Sequence, residues 1–465
     1  MEREVDVEVA ILGGGPAGYL AAVRAAQLGA RVVIVEQDQF GGVCLNRGCI
    51  PTKALLRTVE LAALARKGQE FGIVGPPPMV DWTAAHSRKN RVVKSLRQGV
   101  EYLLHKDAIT IIKGQGLIVD SKLLSVETAE GKVTVHCKKI LVATGSQAIR
   151  PNIPGMDSSL VLTSDEILSL EEVPKQLTII GGGAIGLEFA QMFNGLGSKV
   201  SVIEMADQVL PQEDAEIATE VLKILKRQGV KVNLSSAVTD VAFDASGAKV
   251  MFQTQGKDGM VEADTVLLAV GRKPAVPAEL IALGAATGRQ GALIVNAQME
   301  TSLQGIYAAG DVTGGKLLAH KAYAEGRVAV ENALGGSNTL NYNAIPSCVY
   351  LQPELASVGL DEKTAAMQGH AVKTGRFDFR NNGRAQCMGE REGMVKVVTD
   401  KETHVILGAQ LLGPQATELI SELTLAVSLG IKAETLADLV HPHPTLSEAL
   451  MEACADAVGR SIHKG

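Results

Sequence analysis

A chain of 465 residues exceeds what one ordinary hydrophobic core organises, so its length predicts about three domains. Apolar residues make up 46% and charged ones 21%, an ordinary soluble balance, and a net charge of −6 with no basic stripe excludes a nucleic-acid binder. No apolar run approaches the roughly eighteen residues of a membrane span, and the charged start MEREVD is no signal peptide, so a cytoplasmic protein is expected.

The first stretch, VEVAILGGGPAGYLAAVRAAQLGARVVIVEQ, predicts strand, glycine turn, helix, strand. Residues 7–12 are a short apolar run, residues 17–28 carry helical periodicity, Gly29 is a C-cap, and residues 31–36 form a second β-rich run. Gly13, Gly15 and Gly18 have the spacing a dinucleotide pyrophosphate requires: a tight turn, close backbone approach, and tight packing of helix on strand. Glu36, eighteen residues after Gly18, is placed to accept ribose hydroxyls.

Next comes GGVCLNRGCIPTK, which sets Cys44 and Cys49 five positions apart in a chain with six cysteines. Structural zinc needs about four ligands in spaced pairs. Cys137, Cys348, Cys387 and Cys454 are scattered singly, so no metal is expected. Two inert buried thiols remain possible. A helix starting near Pro51, whose N-terminal dipole favours a thiolate, makes a redox-active dithiol the better reading. Lys53, four residues after Cys49, is about one helical turn on and can share its face.

Residues 51–106 read as helical, and strand-rich segments follow as far as KKILVATGSQAIRPNIPG, where Pro151 and Pro154 mark a linker. The opening grammar then returns in QLTIIGGGAIGLEFAQMFNGLGSKVSVIEM, at a constant offset of 168: Gly181, Gly183, Gly186 and Glu204 repeat Gly13, Gly15, Gly18 and Glu36. The chain therefore holds two dinucleotide folds. Glu204 would repel a 2′-phosphate, and no Lys or Arg lies between Lys199 and Lys223, so NAD is favoured over NADP unless an arginine arrives from elsewhere.

ADTVLLAVGRKPAV closes the inner fold near Arg272, and LQGIYAAGDVTGG predicts a buried strand with Asp311 in the following turn. From about residue 345 strands alternate with two helices, ending in HPHPTLSEALMEACADAVG. Spacing alone leaves His443 more often a capping residue than a base, although a carboxylate such as Glu448 could orient its ring.

CLNRGCIPTK, the paired fingerprints, ATG at 143–145, YAAGD at 307–311 and HPHPTLSE at 441–448 together resemble the flavin-dependent pyridine nucleotide-disulfide oxidoreductases, in the same order along essentially the whole chain. The resemblance implies an α/β fold: two Rossmann-like domains binding FAD and NAD, plus a C-terminal α+β dimerisation domain. Its divisions would be 1–150 and 275–344 for the FAD-binding and central parts, 151–274 for NAD, and 345–465 for the interface. FAD would be held by Gly13, Gly15, Gly18, Glu36, Lys53, Gly116, Thr144, Gly145, Ser146, Asp311 and Ala319. NAD would be held by Gly181, Gly183, Gly186, Glu204, Val238, Ala269, Gly271 and Arg272.

By the same resemblance Cys44 and Cys49 form a redox disulfide against the flavin, with Cys44 attacked by substrate and Cys49 facing the ring. His443 is the base, oriented by Glu448, and Lys53 pairs with Glu188 beside the flavin. His441 serves structure or substrate access, and His320 packing or the cofactor side. The implied activity is oxidation of a dihydrolipoyl group by NAD in a homodimer, the group arriving on a lipoylated acyltransferase or lipoyl carrier protein of a multienzyme complex. Alternatives are another disulfide reductase of this fold, an NAD(P) transhydrogenase, and a non-enzymatic scaffold. GRKPAV lacks the asparagine often found after the proline, and Gln352 stands where histidine is common.

Overall fold

The computed structural model describes residues 3–245 and 247–464. Strand Val9–Leu12 is buried at every position, as a central strand covered on both faces must be. It lies in a parallel five-stranded sheet ordered Ile306–Ala308, Lys139–Val142, Val9–Leu12, Val32–Glu36, Thr110–Lys113. The outermost strand comes from more than 160 residues beyond its neighbour, Ile306 pairing with Ile140, so the first sheet is closed only after the inner fold has been inserted. Helix Pro16–Gln27 turns small residues to this sheet, Ala17, Gly18, Ala21, Ala22 and Ala25 being buried, and packs against helix Ala319–Ala333.

The inner repeat builds a second parallel sheet, ordered Val161–Thr163, Thr265–Leu268, Gln176–Ile180, Lys199–Ile203, Lys231–Asn233. An antiparallel three-stranded layer, Ser236–Asp244, Gly247–Thr254 and Lys257–Ala263, covers one side. The two parallel sheets are joined by a two-stranded ribbon, Ser146–Ala148 with Arg272–Pro274. The C-terminal unit is an antiparallel five-stranded sheet ordered Ser347–Val349, Glu354–Gly359, Ile406–Gly413, Met394–Asp400, Val372–Asp378. Helices Ala416–Leu429 and Glu448–Ala457 bury Ile420, Leu423, Leu450 and Ala453 in its core.

Two details depart from the sequence reading. The expected single helical stretch over 51–106 is two helices, Cys49–Arg66 and Trp82–Lys106. Gly75 and the three prolines after it cannot continue a helix, and Asp81 restarts one by accepting a bond from the Ala84 N–H. Among the described residues the C-terminal unit has five α-helices rather than two, because Glu362–Met367, Gly383–Met388 and Ala433–Ala437 are too short to leave a periodic signal.

Candidate active site

The two glycine turns are geometrically alike. A Cβ on Gly13 would sit 2.3 Å from the Ala143 carbonyl oxygen, and one on Gly181 would sit 2.4 Å from that of Ala269. Both glycines have positive φ, +107° and +111°, so an L side chain is opposed by backbone strain as well as by space. Gly18 and Gly186 approach the carbonyl oxygens of Gly13 and Gly181 so closely that a Cβ would lie at 1.8 and 2.1 Å. Glu36 accepts the N–H groups of Gly14 at 2.6 Å and Asp38 at 2.7 Å. Glu204 does the same with Gly182 at 2.6 Å and Ala206 at 2.7 Å. Each carboxylate is thus fixed at a strand end beside a helix N-terminus.

Around the outer turn the structure gathers several sequence-designated residues. The Asp311 carboxylate accepts the Ser146 hydroxyl at 2.6 Å, and the Arg272 guanidinium donates to Ser146 Oγ and O at 3.0 Å each. Arg272 also pairs with Asp165 at 2.9 Å, and its side chain is only 11% exposed. That arginine therefore lies in the ribbon joining the two parallel sheets, tied to the Ser146–Asp311 side. Gly116 backs onto Leu12 and Val35, Gly145 adopts φ +75°, and Ala319 opens a helix. Val238 is half-buried at a register shift of its strand, and Gly271, at φ +116°, precedes the ribbon.

Thr144 Oγ1 is buried and has no hydrogen-bond partner among the described residues. A buried hydroxyl without a partner is uncommon in a folded protein. With the glycine cradles and a fixed ribose-type carboxylate, it fits a polar ligand lying along this turn, as FAD would.

Helix Cys49–Arg66 begins at Cys49 itself, after Gly48 at φ −137°, and Cys44 lies in the short helix Gly42–Arg47 before it. The Cys44 thiol is hydrogen-bonded to Cys49, which with burial pushes Cys44 far above its ordinary value. The same bond lowers Cys49 to about 7; burial opposes this, and the Lys53 ammonium assists it. The helix N-terminus adds a favourable dipole. The surroundings thus favour ionisation at Cys49 over Cys44.

Lys53 Nζ contacts Glu188 Oε2 at 2.7 Å and Oε1 at 2.9 Å. Glu188 also accepts the Tyr350 N–H at 3.0 Å, and Lys53 Nζ lies 4.6 Å from the Tyr350 ring centroid. Tyr350 went unannounced in the sequence, since a lone aromatic in VYLQP carries no spacing that ties it to a lysine. Nor did it single out Tyr19 and Tyr323, whose hydroxyls meet at 3.1 Å. Burial first, then the bond to Tyr19 and the charges of Cys44 and Cys49, push the Tyr323 hydroxyl upward.

His443 Nδ1 is 2.8 Å from Glu448 Oε1, while Glu448 Oε2 accepts the Thr445 N–H at 2.8 Å. Partial burial opposes ionisation of Glu448, but Thr445 and His443 hold its carboxyl below the usual range. Asn382 anchors the loop by donating to the Thr445 carbonyl at 2.9 Å, a residue no motif announced. The His443 side chain is 77% exposed. His441 is instead wedged between the Leu439 carbonyl and Glu422. His320 contacts the Pro346 carbonyl at 2.7 Å.

Residues 7–326 match the model of the pyridine nucleotide-disulphide oxidoreductases, and residues 345–454 match that family's dimerisation domain. The chain belongs to this family. It is 40% identical to a dihydrolipoyl dehydrogenase of Bacillus subtilis, over 98% of this chain and 99% of that one. Among solved structures it resembles the HOCl-induced flavoprotein disulfide reductase RclA of Escherichia coli (TM-score 0.86, 32% identity, 98% and 99% covered). It also resembles LpdA of Mycobacterium tuberculosis (TM-score 0.89, 29% identity, 97% and 99% covered). The chain is a flavoprotein disulfide oxidoreductase, a family that uses FAD and a pyridine nucleotide. Among the described residues no helix is long and apolar enough to cross a membrane.

Proposed function

We propose that this enzyme is a dihydrolipoyl dehydrogenase: it oxidises a protein-bound dihydrolipoyl group and reduces NAD. The observation that carries this is the Cys44–Cys49 pair at a helix N-terminus with a lysine–glutamate pair one turn away. The full-length likeness to dihydrolipoyl dehydrogenases supports the substrate.

In this reading His443 Nε2 takes the proton of one substrate thiol, and Glu448 holds the ring in the productive tautomer and stabilises the imidazolium. The substrate thiolate attacks Cys44 Sγ of the oxidised pair, forming a mixed disulfide and expelling Cys49 as a thiolate. The second substrate thiol, losing its proton, attacks the substrate sulfur of that mixed disulfide. Oxidised lipoyl leaves; His443 passes its first proton to the departing Cys44 sulfur and takes the one released by the second substrate thiol. A depressed Cys49 would be the better leaving group in the first exchange, which supports the division of labour that the family resemblance implies.

Bound FAD would supply the two-electron relay from the dithiol to the nicotinamide. The residues that would hold it are Gly13, Gly15, Gly18, Glu36, Ser146 and Asp311, with Lys53 and Glu188 nearby. NAD would lie on the inner fold, with Glu204 at its adenosine ribose and disfavouring NADP. We infer a homodimer in which the exposed His443 of one subunit serves the cysteines of its partner, and a lipoylated protein as the substrate carrier in the cytoplasm.

A second reading, a disulfide reductase acting on another substrate, is favoured by the likeness to RclA. Purified enzyme assayed for NAD reduction by dihydrolipoamide separates the two. Rapid turnover supports the dehydrogenase, whereas negligible turnover by flavin-loaded protein sinks it.

A further inference from the structure

Glu213, Asp214 and Glu216 stand just beyond the inner fingerprint and have no part in the chemistry above. Glu213 accepts the hydroxyls of Ser347 at 2.9 Å and Ser357 at 2.7 Å, both on the C-terminal sheet. Asp214 caps helix Ala215–Arg227 with Oδ1, and with Oδ2 accepts Lys396 Nζ at 2.9 Å. Lys396, only 3% exposed, also reaches Glu216 at 3.0 Å and Glu362 at 3.3 Å. Arg376 adds bonds to Glu216 at 3.0 to 3.2 Å.

This cluster connects to the nucleotide turn through very few bonds. The Glu213 N–H donates to the Leu210 carbonyl at 2.9 Å, and the Leu210 N–H donates to the Gly182 carbonyl at 2.9 Å. Gly182 is the glycine whose own N–H holds Glu204. Leu210 is 3% exposed and takes φ 48°, and the Gln208 side chain donates to the carbonyls of Leu210 and Glu213. A buried ion cluster is weak evidence for stability, because desolvation offsets most of its attraction. Here it fixes where residues 210–216 sit, and those residues support the turn that receives the nucleotide.

We propose that Glu213, Asp214 and Lys396 are positioning residues for the pyridine nucleotide: a latch on the C-terminal unit that presets Gly182 and Glu204 for the adenosine ribose. The proposal rests on the inner fold being the NAD site.

The test is calorimetric titration of NAD+ into flavin-loaded dimer carrying Ser347→Ala with Ser357→Ala, or Lys396→Met. The expected result is roughly tenfold weaker NAD+ binding, in the middle of the range for residues coupled through one network. Flavin content and absorbance should not change. Combined with Glu204→Gln, the serine changes should cost less than the sum of their separate effects. Unchanged affinity in the variants, or full additivity with Glu204→Gln, overturns the latch. If Lys396→Met does not fold, the serine pair decides alone. A wild-type enzyme that ignores NAD+ defeats the nucleotide reading instead, a result distinct from wild-type binding with indifferent variants.

Discussion

Lys53 on helix Cys49–Arg66 and Glu188 on helix Ala184–Gly195, 135 positions apart in sequence, meet at 2.7 Å, one on each nucleotide-binding fold. Glu188 is buried and Lys53 is 30% exposed. Neutralising the glutamate leaves a half-buried cation without its carboxylate partner, beside the Tyr350 ring. Glu188→Gln should therefore lower stability by about 3 kcal/mol, the low end for a broken buried pair, as read from denaturant unfolding. Glu188 raises Cys49 while Lys53 lowers it, so the same variant should move Cys49 titration downward. An alkylation-rate profile against pH that shifts upward would contradict this.

In the reduced enzyme the Cys49 thiolate also has a stability consequence. Its value falls from an ordinary ~8.5 to about 7, so its contribution is complete above ~8.5 and fades as pH drops through 7. The thermal midpoint of reduced wild type should fall between pH 8.5 and 6.5 by more than that of Cys49→Ser. In the flavin-loaded protein, Cys44→Ser should keep a long-wavelength thiolate–flavin band and Cys49→Ser should lose it. The reverse pattern would exchange the two roles.

Glu448 accepts two N–H donors, from the His443 ring and the Thr445 backbone. In Glu448→Gln one of those donors must face an amide N–H₂, so imidazole orientation is lost. A drop of about 10²-fold in kcat is expected, against 10²–10⁴-fold for His443→Gln, where the base itself is gone. A rise in KM matched by an equal fall in kcat/KM, with kcat intact, would point to substrate binding instead.

The exposed His443 makes a prediction about assembly. If it serves the partner's cysteines, mixing Cys44→Ser with His443→Gln subunits and allowing exchange should restore up to about a quarter of wild-type activity, since hybrid dimers hold one intact site. An in-chain site restores none.

The third glycine of each fingerprint separates the cofactors. Gly18→Ala and Gly186→Ala each drive a Cβ to within 2.1 Å of a backbone oxygen. Gly18→Ala should yield protein that loses its yellow flavin during purification. Gly186→Ala should remain yellow while NAD affinity falls by at least about tenfold. Loss of flavin from both would refute the assignment of one cofactor to each fold.

What the sequence determined by itself was whatever lies within one strand–turn–helix unit. Gly13 to Glu36 and Gly181 to Glu204 were legible because tight turns and close packing demand glycine at fixed local spacing. Cys44, Cys49 and Lys53 were legible because a helix start and one helical turn relate them. The pairing of Lys53 with Glu188 came from resemblance alone, and Tyr350, Asn382 and the contacts of Lys396 carried no signal. These contacts join distant segments, and burial and hydrogen bonding between them depend on how the sheets and helices pack. Arg272 shows the limit most plainly: only the resemblance singled it out, and its bonds to Ser146 and Asp165, more than 100 positions away in sequence, carry no local signal. Local spacing sets which backbone turns can form. Only the packed chain decides which side chains meet across them, because those contacts are settled by the shared exclusion of water rather than by neighbours in sequence.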